Sequence, residues 1–563
     1  MSVTITSSEP FSRIAARRVG LIKARETADP SVTDGFPPLP VPFITAWYRA
    51  VEMPAVDESG KLRPMTQVQR AVSDALVTGL RTDQGVHRFL GIRYASAERF
   101  ARPLSLPLSG DVDATSFGDA CPQMPVFSPL VPGGELGAPE SEDCLHLNIW
   151  LPEGSGPFPV LVWIHGGSFL TGASSQAMYD GEALAAHGIV FVSFNYRVGP
   201  LGFLDLRSIP GADPNWIANA GLADQVAALR WVRDHIADFA GDATNVTVMG
   251  ESAGGGSILH LLGVPQRSEL FDRAIVFSGS AGFTFQPGVA ASIASRFVAV
   301  SEIPIPQLAT ADWSKIVAAA GSTLGDPEVY EAAGMMPFHP SIDGEFVFEP
   351  PMETMRRGGA SGCDLWLSTT RDEMALFVDA APIDPAKFAK RVARYAGTDV
   401  LVAEELIDRY RKRLGVEGLS TDVVDVWAAI FSDREMTLAI RQLLDAASPW
   451  SSNVFASYFN WDSPRRNDGR PVGAAHATDL PFIFGTFGVD GWSDFVGADE
   501  PTRRTRANAV SLALQNSIVK FCADGDPGWV DWSHDRAMFI FGEHLGVQRD
   551  PLRSRADLWE GIS

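Results

Sequence analysis

The chain has 563 residues, 20% of them charged, and a formal net charge of -22. An acidic balance of this size with no Lys/Arg cluster excludes a nucleic acid partner, and no apolar run reaches the roughly 18 residues of a membrane span. Four cysteines, Cys121, Cys144, Cys363 and Cys522, lack the close pairing of a zinc site and are too few for a disulfide scaffold, so free thiols and no metal are expected.

The opening stretch MSVTITSSEPFSRIAARRVGLIK carries arginines but no apolar run behind them. No secretory signal is read there, and a cytoplasmic location is the expectation. Residues 1–75 read as an N-terminal extension: the proline-rich segment 36–42 is flanked by short amphipathic pieces at 13–25 and 64–80. A strap packed on the main body is the plain reading, with a lid or an oligomer contact as the functional one. Residues 76–563 read as one sheet-based domain with helical insertions at about 283–362 and 382–449.

A hairpin is predicted over 84–94, with Phe89–Ala95 as its second strand. Residues 143–150, DCLHLNIW, alternate as a half-buried strand does. The runs 159–164 and 189–194 are continuously apolar, as strands buried on both faces of a parallel sheet are. The first ends in His165-Gly166-Gly167-Ser168-Phe169 and the second in Asn195-Tyr196-Arg197. Apolar residues recur at helical spacing over 222–239, and further strands are expected at 274–278, 364–369, 454–459 and 537–541. Strands separated by helix-length segments imply right-handed crossovers and an α/β fold with a large, mostly parallel sheet.

Between the strand ending in Val246-Thr247-Val248-Met249 and a small-residue run lies Gly250-Glu251-Ser252-Ala253-Gly254. This is the pattern of a nucleophile elbow, in which a strand turns sharply into a helix and small flanking residues tolerate the turn. It would expose the Ser252 hydroxyl and leave the Ala253 N–H at a helix start, aimed where an oxyanion forms. Acyl transfer by serine also needs a base, and an acid to orient that base. In strand–helix hydrolases of this kind the two follow the nucleophile in the order acid, then histidine. Two carboxylates, Asp372 and Glu373, follow the strand at 364–369, and His476 sits in a small-residue turn past the next one. His165 precedes the elbow beside two glycines, a setting better suited to ligand approach. His260 lies two turns along the same helix as Ser252, roughly 12 Å away along the axis, too far for direct proton transfer.

The segments EDCLHLNIW, VWIHGGSF, NYRVGPLGF, GLADQVAALRWV, GESAG, TTRDE and GAAHATDLPFIFG occur in the order seen in the type-B carboxylesterase/lipase family, which includes the cholinesterases. The chain resembles that family from about residue 77 to 530. The resemblance implies the α/β-hydrolase fold, with helical insertions capping the site. It also implies Ser252 as nucleophile, Glu373 as acid and His476 as base, with the N–H groups of Gly167, Ser168 and Ala253 as oxyanion donors. Many relatives carry a third glycine where this chain has Ser168. The family's disulfide-forming pair falls on Cys121 and Cys144, which implies that these two lie close together.

Cholinesterases place a tryptophan about ten residues before the cysteine of EDCL to hold quaternary ammonium. Here that neighbourhood is Val131-Pro132-Gly133-Gly134-Glu135, so choline esters are poor candidates. The expected reaction is hydrolysis of small to medium apolar esters through an acyl-enzyme, with no metal or organic cofactor. The same residues would serve an amide, carbamate or lactone, and a silent binding relative is the remaining alternative. Phe169 and Phe377 are the candidate pocket residues, and activity is expected to rise through roughly pH 6 to 7 as His476 loses its proton.

Overall fold

The computed structural model describes residues 65–125, 131–378, 384–451, 453–467 and 469–562. The segments 13–25 and 36–42 singled out above lie outside the described residues. Residues 66–75, assigned above to the extension, are part of the sheet. There β1 (Thr66–Val72) and β2 (Asp74–Arg81) pair antiparallel around Ser73, whose φ is +50°. The expected hairpin at 84–94 takes its first strand from β2. Its turn is closed by Thr82 N–H donating to Val86 O at 2.8 Å, which puts Leu80 opposite Arg88 of β3 (His87–Arg93).

From there the sheet follows the apolar runs. Its further strands are β4 (Ser109–Asp113), β5 (His146–Leu151), β6 (Phe158–Ile164), β7 (Val190–Phe194), β8 (Gly241–Glu251) and β9 (Arg273–Phe277). They are followed by β10 (Asp364–Thr370), β11 (Val454–Asn460), β12 (Ala537–Gly542) and β13 (Gly546–Arg549). The spatial order is β1-β2-β3-β5-β7-β6-β8-β9-β10-β11-β12-β13, with β4 beside β2. Every pair from β7 to β12 is parallel, and the pairs flanking that block are antiparallel. β4 and β13 are largely exposed and carry no apolar alternation, which is why periodicity does not reveal them.

The central strands are apolar throughout because both faces are covered. Val160, Val162 and Ile164 of β6 join one apolar cluster with residues of α1 (Ala220–His235); Leu161 and Trp163 join a second with residues of the long helix Pro501–Asp524. This is the period-two alternation of a strand, with helices on both sides instead of water on one. Between β9 and β10 lie α2 (Pro287–Ser301) and α3 (Trp313–Leu324). Between β10 and β11 lie α4 (Pro385–Ala396), α5 (Val400–Val416), α6 (Val423–Ser432) and α7 (Leu438–Ala447), with a π-turn, Asp433–Thr437, joining the last two. α4 to α6 share an apolar core of their own that includes Phe388, Val392, Leu406, Tyr410 and Trp427.

Strand order reverses at β7-β6-β8, and the reversal aligns the C-terminal ends of β6 and β8, with Gly250 opposite Ile164. A crevice outside the strand ends at such a point is where open α/β sheets bind ligands. Among the described residues no helix is long and apolar enough to cross a membrane. All four cysteines are buried free thiols, and the neighbouring Cys121 thiol, together with burial, raises the pKa of Cys144, the proximity the resemblance implies.

One buried ion pair ties the chain after β7 to α1. Arg197 meets Asp224 with two parallel hydrogen bonds, Nε to Oδ2 at 2.8 Å and Nη2 to Oδ1 at 2.7 Å, both residues being buried. Removing one partner of such a pair strands the other charge, at a cost of about 3–5 kcal/mol. We therefore expect Asp224→Ala to lower the urea midpoint by that equivalent, while Asp205→Ala, whose Arg207 partner is part-exposed, shifts it far less; circular dichroism during urea titration checks both.

Candidate active site

β8 ends at Glu251, and the next residue, Ser252, has φ +57° and ψ -122°, a conformation most side chains avoid. It is held there by Ser252 N–H donating to Phe277 O at 3.0 Å and by Gly256 N–H donating to Ser252 O at 2.8 Å, the first turn of the helix Ala253–Leu261. The turn tolerates no side chain on either flank. A Cβ at Gly250 would come within 2.6 Å of the Gly254 carbonyl carbon, and one at Gly254 would collide with the Ile164 carbonyl. The elbow expected at Gly250–Gly254 is therefore present, with Ser252 part-exposed at its tip.

Beside it, the segment after β6 runs through three successive positive φ angles, +114° at Gly167, +58° at Ser168 and +59° at Phe169. The N–H groups of Leu170 and Thr171 both close back onto the Gly167 carbonyl at 2.9 Å. In this curl the N–H groups of Gly167 and Ser168 have no partner among the described residues, and that of Ala253 opens a helix, where no intrahelical acceptor exists. A Cβ placed on the preceding residue, Gly166, would lie 3.1 Å from Ser252 Cβ, so the curl abuts the elbow.

Glu373 and His476 meet directly. His476 Nδ1 donates to Glu373 Oε2 at 2.7 Å. The other carboxylate oxygen, Oε1, accepts three bonds of 2.7 Å, from Ser278 Oγ, Thr369 Oγ1 and the Thr370 N–H. Burial alone would favour the protonated acid, but these bonds and the facing imidazole outweigh it and hold Glu373 below the usual carboxylate range. Asp372 turns the other way. It pairs with Arg371 and accepts the Ala474 N–H at 3.0 Å, so it pins the histidine-bearing turn without touching the ring.

With this geometry in place, comparison with known proteins is decisive. A model described as the carboxylesterase family matches residues 67–534. The chain belongs to the carboxylesterase family. It is 33% identical over 500 residues to the para-nitrobenzyl esterase of Bacillus subtilis (strain 168), covering 84% of this chain and 94% of that one. It is 29% identical over 498 residues to the fumonisin B1 esterase of Sphingopyxis macrogoltabida, covering 85% and 87%. Among solved structures, a thermophilic PNB esterase superposes with a TM-score of 0.75 at 31% identity, covering 88% of this chain and all of that one. The Geobacillus stearothermophilus carboxylesterase EST55 gives 0.74 at 32% identity, covering 87% and 99%. The fold is the α/β-hydrolase fold, and the chain is a carboxylesterase.

Around the Glu373–His476 pair the family fold brings together residues that the sequence pattern does not flag. Glu251, the residue before Ser252, is buried, and its Oε1 lies 3.1 Å from His476 Nε2. Asp479 is buried three residues after His476, and its Oδ1 has no hydrogen-bond partner. Burial raises the pKa of Glu251 and of Asp479, and for Asp479 the neighbouring Glu251 and Glu373 charges add to it. Burial favours a neutral imidazole, but the Glu251 charge, and then the bond and charge of Glu373, outweigh it and push His476 up to about 9.

The rival histidines are engaged elsewhere. His165 is buried against Tyr196, its Nδ1–H donating to Gly166 O at 2.9 Å; His260 bonds Gly256 O and Thr284 Oγ1. Burial lowers each to about 4. Phe169 is fully buried, packed edge-on to Phe203 and Phe283, so it supports the curl from behind as core. Phe377 is 39% exposed with its ring 5.6 Å from that of His476, at the open side of the site.

The acid-bearing loop is braced from outside the sheet. Met374 N–H donates to Ser432 Oγ at 2.9 Å. Arg555, near the C-terminus, is buried, pairs with Asp433 and donates to Arg371 O at 3.0 Å and Tyr458 OH at 2.9 Å. Ser252 Oγ makes no hydrogen bond among the described residues, while His476 Nε2 faces Glu251 Oε1. From the contrast between the two neighbouring carboxylates we expect Glu373→Gln to lower kcat about 10³–10⁴-fold, as loss of an orienting acid does, and Asp372→Asn to cost under about tenfold. Steady-state kinetics on one ester, with circular dichroism of each variant, reads the contrast.

Proposed function

We propose that the chain hydrolyses small to medium apolar carboxylic esters by two-step acyl transfer at Ser252, with His476 as base and Glu373 as the acid that orients it. The observation that carries this reading is the 2.7 Å bond from His476 to a carboxylate whose other oxygen is already saturated. That bond fixes Nδ1 as the protonated nitrogen and leaves Nε2 to take a proton. Ser252 Oγ attacks the ester carbonyl while His476 accepts its proton. The tetrahedral oxyanion is received by the N–H groups of Gly167, Ser168 and Ala253, a single donor of this kind being worth on the order of 3 kcal/mol. His476 then protonates the leaving alcohol, and water repeats the cycle to release the acid and free Ser252.

The side chain at Ser168 narrows the approach beside the oxyanion donors relative to a glycine, and Phe377 offers an apolar surface next to the base. Both favour unbranched ester groups. Two similar proteins are named for para-nitrobenzyl esters and for fumonisin B1, which makes para-nitrobenzyl esters a natural addition to a p-nitrophenyl panel of varied acyl length. We expect turnover on that panel, none above background for Ser252→Ala, and one phosphonate adduct per chain by intact mass in the wild type only. Turnover by Ser252→Ala would remove the nucleophile assignment.

The sign of the pH dependence follows from the charges around His476. A base works in its neutral form, and neighbouring carboxylates favour the charged one, so the ascending limb of kcat/KM lies above the ordinary histidine range of 6 to 7, toward about 9. In Glu251→Gln the first of the raising charges is gone, and the limb moves down by about one pH unit or more. A limb that stays put in this variant, with chemistry rate-limiting, would show that Glu251 does not act on the base.

A further inference from the structure

The second inserted stretch, 384–449, carries a charged group toward the site for which the mechanism above has no use. Its π-turn, Asp433–Thr437, begins directly after Ser432, whose hydroxyl accepts the N–H of Met374, the residue following Glu373. An extra residue in one helical turn rotates the side chains after it, and such turns recur at functional sites. Here Glu435 is swung toward the segment after β9. A Cβ on Gly282 would lie 4.0 Å from Glu435 Oε2. That segment also contains Ser278, bonded to Glu373, and Ser280, whose carbonyl would lie 3.6 Å from a Cβ on Gly256 in the first turn after the elbow. Glu435 thus stands on the same strand-end face as Ser252, Glu373 and His476, facing an exposed glycine.

Its surroundings are specific. Oε1 accepts a 2.6 Å hydrogen bond from Tyr395 of α4, and Oε2 has no hydrogen-bond partner among the described residues. Among the described residues no Lys, Arg or His lies within ion-pair distance of Glu435. The adjacent Arg434 is directed away, its guanidinium over the rings of Tyr395 at 5.5 Å and Trp559 at 5.7 Å. The carboxylate is only part-exposed, and burial raises its pKa against the opposing Tyr395 bond and Arg434 charge. An acidic group that is oriented on one oxygen, open on the other and without an ion-pair partner among the described residues is suited to take a cation from solution.

We propose that Glu435, oriented by Tyr395, is a specificity-determining residue that recognises a protonated amine carried by the substrate, so that among esters of equal length and otherwise apolar chain those ending in a primary ammonium group are favoured. The acceptor is a carboxylate with a hydrogen-bonding tyrosine and not an aromatic cage, so it suits an ammonium with N–H donors over a quaternary one. The inference rests on the ester-hydrolysis reading for its chemistry, but the recognition itself is a binding event and can be read without turnover.

The test pairs kinetics with binding. Wild type, Glu435→Gln and Tyr395→Phe are assayed on p-nitrophenyl 6-aminohexanoate against p-nitrophenyl heptanoate, its neutral counterpart of equal length. Wild type is expected to favour the ammonium ester in kcat/KM by about tenfold or more, a charge-assisted hydrogen bond's worth. Glu435→Gln should remove the preference while changing the neutral ester less than about threefold, and Tyr395→Phe should reduce it in part. Calorimetric titration of n-butylammonium into Ser252→Ala, with and without Glu435→Gln, should show binding only where Glu435 is intact. An equal ester ratio in wild type and Glu435→Gln, or butylammonium binding that ignores the substitution, overturns the proposal. Butylammonium binding that depends on Glu435, in a protein that hydrolyses no ester of the panel, upholds it and removes the hydrolysis reading instead.

Discussion

A carboxylate taken out of water must have its lone pairs satisfied by protein, and the organisation of this molecule follows from how Glu373 meets that demand. Its donors come from three separate parts of the chain: Ser278 just past β9, Thr369 and Thr370 at the end of β10, and His476 in the turn beyond β11. Here the parallel sheet, with its strand ends on one edge, delivers side chains so distant in sequence to one point. The order β8-β9-β10-β11 is then as much a part of the site as any side chain. The elbow on β8 and the curl after β6 occupy the same edge, so Ser252, the N–H groups of Gly167 and Ser168, Glu373 and His476 are set by one register.

The same edge concentrates negative charge. Glu251, Glu373 and Asp479 all lie around one imidazole, and only Glu373 is fully hydrogen-bonded. Such a cluster favours the charged form of His476; in the proposed mechanism it would stabilise the imidazolium formed as Ser252 attacks, and would do so by holding the base back in its charged form at moderate pH. Stabilising the charged intermediate and demanding a higher pH to begin are two results of one electrostatic arrangement.

Much of this was legible before any coordinates. The apolar runs at 159–164 and 189–194, the pentapeptide around Ser252 and the order of the carboxylate and histidine segments are local patterns, and local patterns survive reading one residue at a time. Glu251 was not legible, because the position before the serine is free in the motif and its closeness to His476 arises from two loops more than 200 residues apart. Glu435 was hidden for a different reason. Its direction depends on one extra residue in a helical turn, and an ideal 3.6-residue period would point it elsewhere. Phe169 reads as a pocket residue from its place beside the oxyanion glycines, yet its positive φ sends the ring inward among Phe203 and Phe283. The strands at 66–72 and 109–113 carry too little apolar alternation to stand out from loop.

Arg555, at position 555 of 563, donates to the carbonyl of Arg371, two residues before Glu373. Synthesis runs from the N-terminus, so the sheet, the elbow and the histidine turn all leave the ribosome before the residue that braces the acid loop does. A chain still being made can hold nearly the whole fold and yet lack the clasp on its acid. A change at Arg555 thus reaches the segment that carries Glu373 from nearly two hundred positions away, through Asp433 and the Arg371 carbonyl.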